Sequence, residues 1–376
     1  MRTRSGATTM TTATDAAFTP VTIGRYRARN RIVMAPMTRN RASDTVPTSL
    51  MAQYYGQRAS AGLIITEGTQ PSAIGQGYPA TPGLHTAEQI EGWKLVADSV
   101  HAAGGLVFAQ LMHAGRIGHP DVYPEDTEVA GAVPVGPSAV PATGSVFTGR
   151  GMAEFPTPRA LSADEVQDTV AEFAAAARAA IDAGLDGVEI HAANGYLLHQ
   201  FLSTNANRRT DSWGGDVAGR IRLTVAVAQA VADEIGADRV GLRISPANPY
   251  NDIVEDGHRE TYLALVAALE PLALAYLHVA ETTDPGLTPL LRKAWTGALV
   301  LNPAEQTAAE HLSVIRDGAA DLVSFATKFL ANPDLVARLR TGAPLNTPDR
   351  PTFYGGDHRG YTDYPSADHP SAAAAT

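Results

Sequence analysis

Between Arg31 and Arg340 the chain repeats one pattern eight times: a short apolar run rich in β-branched residues, a polar residue at its end, a loop, and a longer stretch of helical period. Short apolar runs bounded by turn residues read as buried strands, and the longer stretches read as helices. The spacing predicts strands over 32–35, 63–67, 106–113, 187–191, 240–244, 276–280, 298–301 and 321–325. The helices between and after them fall at 49–61, 87–103, 162–183, 216–235, 259–269, 287–295, 304–317 and 333–340. Ser162 with Glu165 makes a capping box at the start of the third helix, and Gly184 follows its end. Eight strands that alternate with helices without interruption, joined by right-handed crossovers, close into a (β/α)8 TIM barrel, an α/β fold. An open doubly wound sheet is the competing architecture, and it is disfavoured because no GxGxxG opens a strand–helix unit.

Two excursions interrupt the alternation. Val21-Thr22-Ile23 and Tyr26 predict an N-terminal hairpin or plug ahead of the first barrel strand. After strand three, residues 119–158 are rich in Pro and Gly and lack periodicity. A loop that long is usually functional, and here it reads as a lid containing a small hairpin. Residues 1–17 and 366–376 are expected to be disordered tails on a single domain spanning 18–365. Length permits one domain, since α/β barrels reach 376 residues. With Lys+Arg 29 against Asp+Glu 39 the net charge is −10, which argues against a sequence-independent nucleic-acid partner. There is no cysteine, so disulfides, thiolate zinc sites, iron–sulfur clusters and cysteine nucleophiles are excluded. No apolar run reaches membrane-spanning length and no apolar leader region is present, so a cytoplasmic protein without a membrane partner is expected.

In a parallel barrel the active site forms at the C-terminal ends of the strands. The polar residues at those ends are Thr38, Glu67, Gln110, the cluster His191/Asn194/Tyr196, Arg243 and Glu281. An imidazole, a carboxamide and a phenol within six residues concentrate hydrogen-bonding groups at one strand end. Gln110 offers an acceptor and two donors, and Arg243 a rigid fork of donors. Together they suit a flat heterocycle with imide edges. Taken singly, each has a blander reading: a satisfied core histidine, an ion pair for Arg243 inside the barrel, a cap contact for Gln110. A metal hydrolase is a second class, but neither HxH nor HExxH spacing occurs. A non-catalytic binding barrel is a third, and it has little use for a phenol beside two carbonyl-binding donors.

The motifs Ala35-Pro-Met-Thr-Arg39, Ile65-Thr-Glu-Gly-Thr69, Gln110-Leu-Met-His113-Ala-Gly-Arg116, His191-Ala-Ala-Asn-Gly-Tyr-Leu-Leu198, Arg208-Arg-Thr-Asp-Ser-Trp-Gly-Gly215 and Gly241-Leu-Arg-Ile-Ser-Pro246 occur in one order along the chain. With Ala331-Asn-Pro-Asp-Leu335 and Gly360-Tyr-Thr-Asp-Tyr-Pro365 they cover most of it, and the chain resembles the Old Yellow Enzyme family of FMN-dependent ene-reductases. The resemblance implies FMN at the mouth of the barrel. Its ring would be lined by backbone at Ala35, Pro36 and Gly68, bonded by Thr38 and Gln110, and faced by Arg243 where negative charge collects on the reduced ring. His191, also counted among the cofactor contacts, and Asn194 would bind the carbonyl or nitro oxygen of an activated alkene, and Tyr196 would protonate Cα. Tyr78, Met112 and Tyr354 would wall the substrate pocket. The implied reaction is ping-pong, with NADPH or NADH as co-substrate and an activated alkene as the small-molecule partner, in a monomer or homodimer. The family's phosphate-binding glycine pair and Gly-Arg are replaced by Asn302-Pro303 and Ala326-Thr327, so weaker flavin retention is expected.

Overall fold

The computed structural model describes residues 16–304 and 307–367; of the expected tails 1–17 and 366–376, residues 1–15 and 368–376 lie outside the described residues. Ala17 is already buried, and Arg31 N–H donates to its carbonyl at 2.8 Å. An antiparallel hairpin, β1 Val21–Ile23 and β2 Tyr26–Ala28, comes first. The chain then runs through β3 Ile32–Met34, α1 Ser49–Gln57, β4 Leu63–Thr69, α2 Ala87–Ala102 and β5 Val107–Leu111. Residues 112–162 carry four short strands: β6 Val135–Gly136, β7 Ser145–Phe147, β8 Met152–Glu154 and β9 Arg159–Ala160. The regular alternation resumes with α3 Ala163–Asp182, β10 Gly187–Ala192, α4 Leu197–Leu202, α5 Val217–Ile235, β11 Val240–Ile244, α6 His258–Leu269, β12 Tyr276–Ala280 and α7 Thr288–Ala294. It closes with β13 Leu299–Asn302, α8 Ala308–Arg316, β14 Leu322–Phe325, α9 Thr327–Ala331 and α10 Leu335–Thr341.

Strands β3, β4, β5, β10, β11, β12, β13 and β14 pair in that order, all parallel, and β14 returns to β3. The eight-stranded barrel expected from the alternation is therefore the observed fold. Burial explains its strands: β3, β4, β5, β10, β11, β12 and β14 are buried at every position, because helices cover one face and the barrel interior the other. Below the site the interior is filled by Val33, Leu63, Ile65, Phe108, Tyr276, Val300 and Leu322, and Ile23 and Ala28 of the hairpin pack against them. The N-terminal hairpin thus plugs the barrel, and Tyr26 Oη donates to the Asp186 carbonyl at 2.7 Å. The helices start where their sequences allow. Thr86 with Gln89, Ser162 with Glu165 and Thr307 with Glu310 form reciprocal capping boxes, and Asp216 caps α5 through Gly219 N–H.

Register decides what meets above the apolar plug. Gln110 on β5 pairs with Glu189 on β10, and His191 pairs with Arg243 on β11. Glu189 and His191 are two residues apart and share a face. The long segment after β5 does hold an antiparallel hairpin, β7 with β8, which arches over the barrel mouth. The C-terminal segment is tied to the barrel by three buried arginines. Arg39 donates to the Phe353 and Gly360 carbonyls, both at 2.8 Å. Arg41 donates to Asp357 O and Thr352 O, and Arg58 to Leu330 O and Tyr361 O. Tyr361 stacks on Tyr54 with ring centroids 4.0 Å apart, and the Arg58 guanidinium lies 3.9 Å from the Tyr54 centroid. Cation–π contacts and carbonyl acceptors take the place of bulk water around these charges.

Candidate active site

A cavity of about 870 Å³ opens at the C-terminal end of the barrel. Its walls include Pro36, Thr38, Tyr78, Gln110, Met112, His191, Asn194, Tyr196, Arg243 and Tyr354, all named from the sequence as site residues. The structure therefore brings together side chains from β5, β10 and β11, the segment after β3 and the C-terminal segment.

The cluster after β10 is shaped by its backbone. Asn194 has φ 56° and Gly195 φ 78°, so the chain turns sharply between the strand and α4. A Cβ on Gly195 would come 2.5 Å from Asn251 Cβ and 2.7 Å from the Tyr250 carbonyl, so only glycine fits. Asn194 N–H donates to Ser245 Oγ at 2.8 Å, its carbonyl accepts from Asn251 Nδ2 at 2.8 Å, and its Oδ1 accepts from Asn248 Nδ2 at 2.9 Å. The remaining Nδ2 is then the end of the amide left for the cavity.

His191 is buried, and its Nδ1 accepts the Ala193 N–H at 3.3 Å. That bond leaves the proton of a neutral ring on Nε2. Burial is the main force holding its pKa well below the ordinary histidine value, and repulsion from Arg243 adds to it. The imidazole is accordingly a neutral N–H donor. Tyr196 lies edge-on to the His191 ring, with centroids 5.1 Å apart. Its hydroxyl is 3.0 Å from the Tyr78 hydroxyl. Burial, then the neighbouring Tyr78, raise its pKa well above the usual phenol value, so it keeps its proton.

Gln110 Nε2 donates to Glu189 Oε1 at 2.8 Å, which leaves the amide oxygen as the free end. Glu189 also accepts from Tyr276 Oη at 3.2 Å and from His278 Nδ1 at 2.8 Å, and His278 Nε2 accepts from Ser324 Oγ at 2.9 Å. A carboxylate with three donors is well supported in a dry interior. Arg243 Nη2 donates to Asn302 Oδ1 at 3.3 Å, while its buried Nε has no hydrogen-bond partner. That Nε has almost no accessible surface and so does not itself open onto the cavity; the guanidinium as a whole lines the wall and presents a fixed positive charge there. An amide acceptor from Gln110, a cationic donor from Arg243 and the Thr38 hydroxyl fit the imide edge of a flat redox heterocycle.

Several expected positions differ. Glu67 does not reach the cavity. It lies fully buried in the layer between the barrel and α1, where Oε2 accepts Arg39 N–H and Oε1 accepts Tyr55 Oη, both at 3.2 Å. Burial pushes its pKa up to about 7. Glu281 turns outward and accepts from Thr288 Oγ1 at 2.6 Å. Ala35 and Gly68 are not cavity walls. Ala35 N–H is spent on the Phe325 carbonyl at 3.0 Å, and Gly68 makes room for Met112, whose Sδ would lie 2.6 Å from a Cβ there. Asn302 accepts from Arg243 Nη2, and exposed Thr327 opens the short helix α9; neither is among the cavity walls.

Beyond the positions expected from the sequence, Asn40, Asn248, Tyr250, Asn251 and Asp252, and the lid residues Val146, Phe147 and Phe155, also line the cavity. The run Asn248-Pro-Tyr-Asn-Asp252 just beyond strand five carried the same strand-end signal as the residues that were picked out. Among the described residues no three His, Asp or Glu side chains converge to hold a metal ion, and no helix is long and apolar enough to cross a membrane.

Residues 16–346 match the model of the NADH:flavin oxidoreductase / NADH oxidase family. A probable flavin mononucleotide-dependent alkene reductase of Leishmania infantum is 42% identical over 364 residues, covering 93% of this chain and 97% of that relative. Morphinone reductase in complex with tetrahydroNAD superposes with a TM-score of 0.89 at 43% identity, covering 95% of this chain and 99% of that one. The old yellow enzyme homologue from Zymomonas mobilis gives a TM-score of 0.89 at 40% identity over 93% of this chain and 99% of that one.

Proposed function

We propose that this chain, which belongs to the NADH:flavin oxidoreductase / NADH oxidase family, reduces the C=C bond of activated alkenes at the expense of NADPH or NADH. The substrates on this reading are enones, enals, maleimides and nitroalkenes, taken in ping-pong order after the nicotinamide has left. The balance is one alkene, one reduced nicotinamide and one proton giving the saturated product and the oxidised nicotinamide. FMN, when bound, supplies the two-electron carrier between the two half-reactions.

The chain's own residues account for the rest. Pro36, Thr38, Gln110 and Arg243 would hold the ring, with the free amide oxygen of Gln110 and the Arg243 guanidinium on one cavity wall as the observation that fits it. His191 Nε2–H and the Asn194 amide would bind the carbonyl or nitro oxygen and stabilise the negative charge that grows on it. Both are neutral donors, so they bind that oxygen without carrying a competing proton equilibrium. Tyr196 would deliver the proton to Cα, with Tyr78 holding its oxygen. Tyr78, Met112 and the β7–β8 lid would exclude water and set the shape of the pocket.

The observation that carries the reading is the convergence of two neutral N–H donors and an un-ionised phenol on one cavity that also holds a fixed guanidinium. The family relationship supports the flavin, and the tetrahydroNAD complex of morphinone reductase supports the nicotinamide. The test is the visible spectrum of the purified protein, its bleaching by NADPH under nitrogen, and recolouring on addition of 2-cyclohexenone, maleimide or a nitroalkene. A flavin that bleaches but is recoloured by none of these would overturn it.

A further inference from the structure

The substrate-facing amide of Asn194 has two ends of nearly equal shape, and only one is a donor. Its backbone is pinned by Ser245 Oγ and Asn251 Nδ2, so the choice left open is the rotation of the side-chain amide. Asn248 decides it. Tyr250 N–H donates to Asn248 Oδ1 at 3.1 Å. A backbone N–H cannot accept, so the oxygen of Asn248 must face it and the NH2 must face away. That NH2 meets Asn194 Oδ1 at 2.9 Å, which turns the Asn194 NH2 towards the cavity. Reversing Asn248 would oppose two donors at Tyr250 and two acceptors at Asn194.

We propose that Asn248 is a positioning residue that fixes the donor end of the Asn194 amide towards the substrate oxygen, with Tyr250 N–H as its reference. The inference rests on the reading of Asn194 as a carbonyl-binding donor. It gives the loop after β11 a part in oxygen recognition although Asn248 acts through another side chain. The loop is itself held: Ala247 N–H donates to Glu255 Oε2 at 2.8 Å, and Arg116 Nη1 and Nη2 reach carbonyls on both sides of the cavity mouth, Asp252 O among them at 2.6 Å.

The test exploits a substitution whose hydrogen-bond pattern changes with pH. In Asn248→Asp a protonated carboxyl reproduces the native pattern, its C=O accepting from Tyr250 N–H and its O–H donating to Asn194 Oδ1. The ionised carboxylate has only acceptors, so Asn194 turns its NH2 back and shows its oxygen to the ligand. Titratable or charged groups near that position are Tyr250, Asp252 and Glu255 on the same loop, His199 of α4 and Tyr262 of α6 against Glu255, His191 on β10 and Tyr196 after it, Tyr78 across the cavity, Arg243 on β11 and Tyr354 on the C-terminal segment. All are present in wild type, so a titration seen only in the variant belongs to the new carboxyl.

Cyclohexanone, which binds as a ketone but cannot be reduced at a C=C bond, is titrated into the FMN-loaded protein between about pH 3 and about pH 8, a window that includes the ordinary aspartate value of about 3.9, and binding is read from the flavin absorbance. Wild type should bind equally well across the range. Asn248→Asp should bind about tenfold more weakly at the alkaline end and recover at the acid end. Asn248→Ala, which imposes neither orientation, should lose less than Asn248→Asp does at the alkaline end, with melting temperatures verifying that both variants fold. Wild-type affinity in Asn248→Asp throughout, a loss that does not titrate, or a larger loss in Asn248→Ala would overturn the assignment. Wild type that reduces no activated alkene and binds no ketone would instead overturn the ene-reductase reading, and this inference with it.

Discussion

Replacing Tyr196 by Phe removes one hydroxyl and separates the two half-reactions. The hydroxyl is buried, keeps its proton, and sits 3.0 Å from Tyr78 Oη. General acid catalysis is worth roughly a hundredfold or more, about 2.7 kcal/mol of barrier. Tyr196→Phe should therefore slow re-oxidation by 2-cyclohexenone by about two orders of magnitude and leave bleaching by NADPH nearly intact. A nitroalkene should still be reduced at close to the wild-type rate, because its anionic product is stable without immediate protonation. Tyr78 acts on the same atom. As Tyr196 loses its proton, a neutral hydrogen bond of about 1 kcal/mol becomes a charge-assisted one of about 1.5–3 kcal/mol. The difference, about 0.5–2 kcal/mol, predicts a slowing of roughly two- to thirtyfold in Tyr78→Phe. In the double variant the Tyr78 substitution should cost nothing further, since its partner is gone. The assay is stopped-flow absorbance of each half-reaction for the four proteins. Wild-type re-oxidation should also stay flat to about pH 9, because the raised pKa keeps the phenol protonated there. Equal slowing of both half-reactions in Tyr196→Phe, or full additivity in the double variant, would refute the reasoning.

His191→Ala and Asn194→Ala should each slow enone reduction on the order of a hundredfold and weaken phenolate ligands, measured by the long-wavelength absorbance band of the complex. Phenolate binding at wild-type strength in both would rule the donor pair out. Thr327→Arg, at an exposed helix-opening position, should tighten FMN about tenfold or more while leaving riboflavin affinity unchanged, read by fluorescence quenching; equal gains for both flavins would place the effect away from the phosphate. Glu67 should make stability fall with rising pH. Its folded pKa of about 7 lies above the ordinary 4.5, so the folded form holds the proton more tightly. Its contribution is complete below about pH 4.5 and lost by about pH 7, roughly 3 kcal/mol in all. Denaturant titrations of wild type and Glu67→Gln across that window should show the slope only in wild type.

The barrel was legible because its strands are apolar throughout and its longer helices carry their own caps. The two short helices were not. Leu197–Leu202 is buried at every position and shows no polar face, and Thr327–Ala331 is too short to show a period. The cluster His191/Asn194/Tyr196 was legible because its polar groups end a buried strand. Glu67 misled for a local reason. β4 matches Ile65 with Phe108 but Gly68 with Gln110, so it holds one residue more than its partner between those pairs. The irregularity breaks the alternation of faces just where Glu67 stands, and a strand-end position no longer implies a cavity-facing side chain. Asn248 was overlooked because its part depends on a hydrogen bond to Tyr250 N–H, which composition and period do not encode. The arginine clamp on the C-terminal segment was invisible for the same reason: its acceptors are carbonyls some three hundred residues away.

The polarity of the site rests on groups that cannot reverse. Ala193 N–H fixes the protonated nitrogen of His191, and Tyr250 N–H fixes Asn248 and through it Asn194. The Glu189 carboxylate does the same for Gln110, whose amide end it holds by accepting. His191, Asn194 and Gln110 could each present either a donor or an acceptor to the cavity, and each is held, directly or through Asn248, by a partner of unambiguous sign. The cost of a wrong orientation is then a pair of opposed like groups in a dry interior, which is larger than the gain any ligand contact would return. A site built this way reads a substrate oxygen with donors already turned towards it, and the reorganisation is complete before the ligand arrives. It follows that the substitutions most damaging to recognition need not touch the ligand: they are those that replace a partner of fixed sign by one that can accept and donate alike.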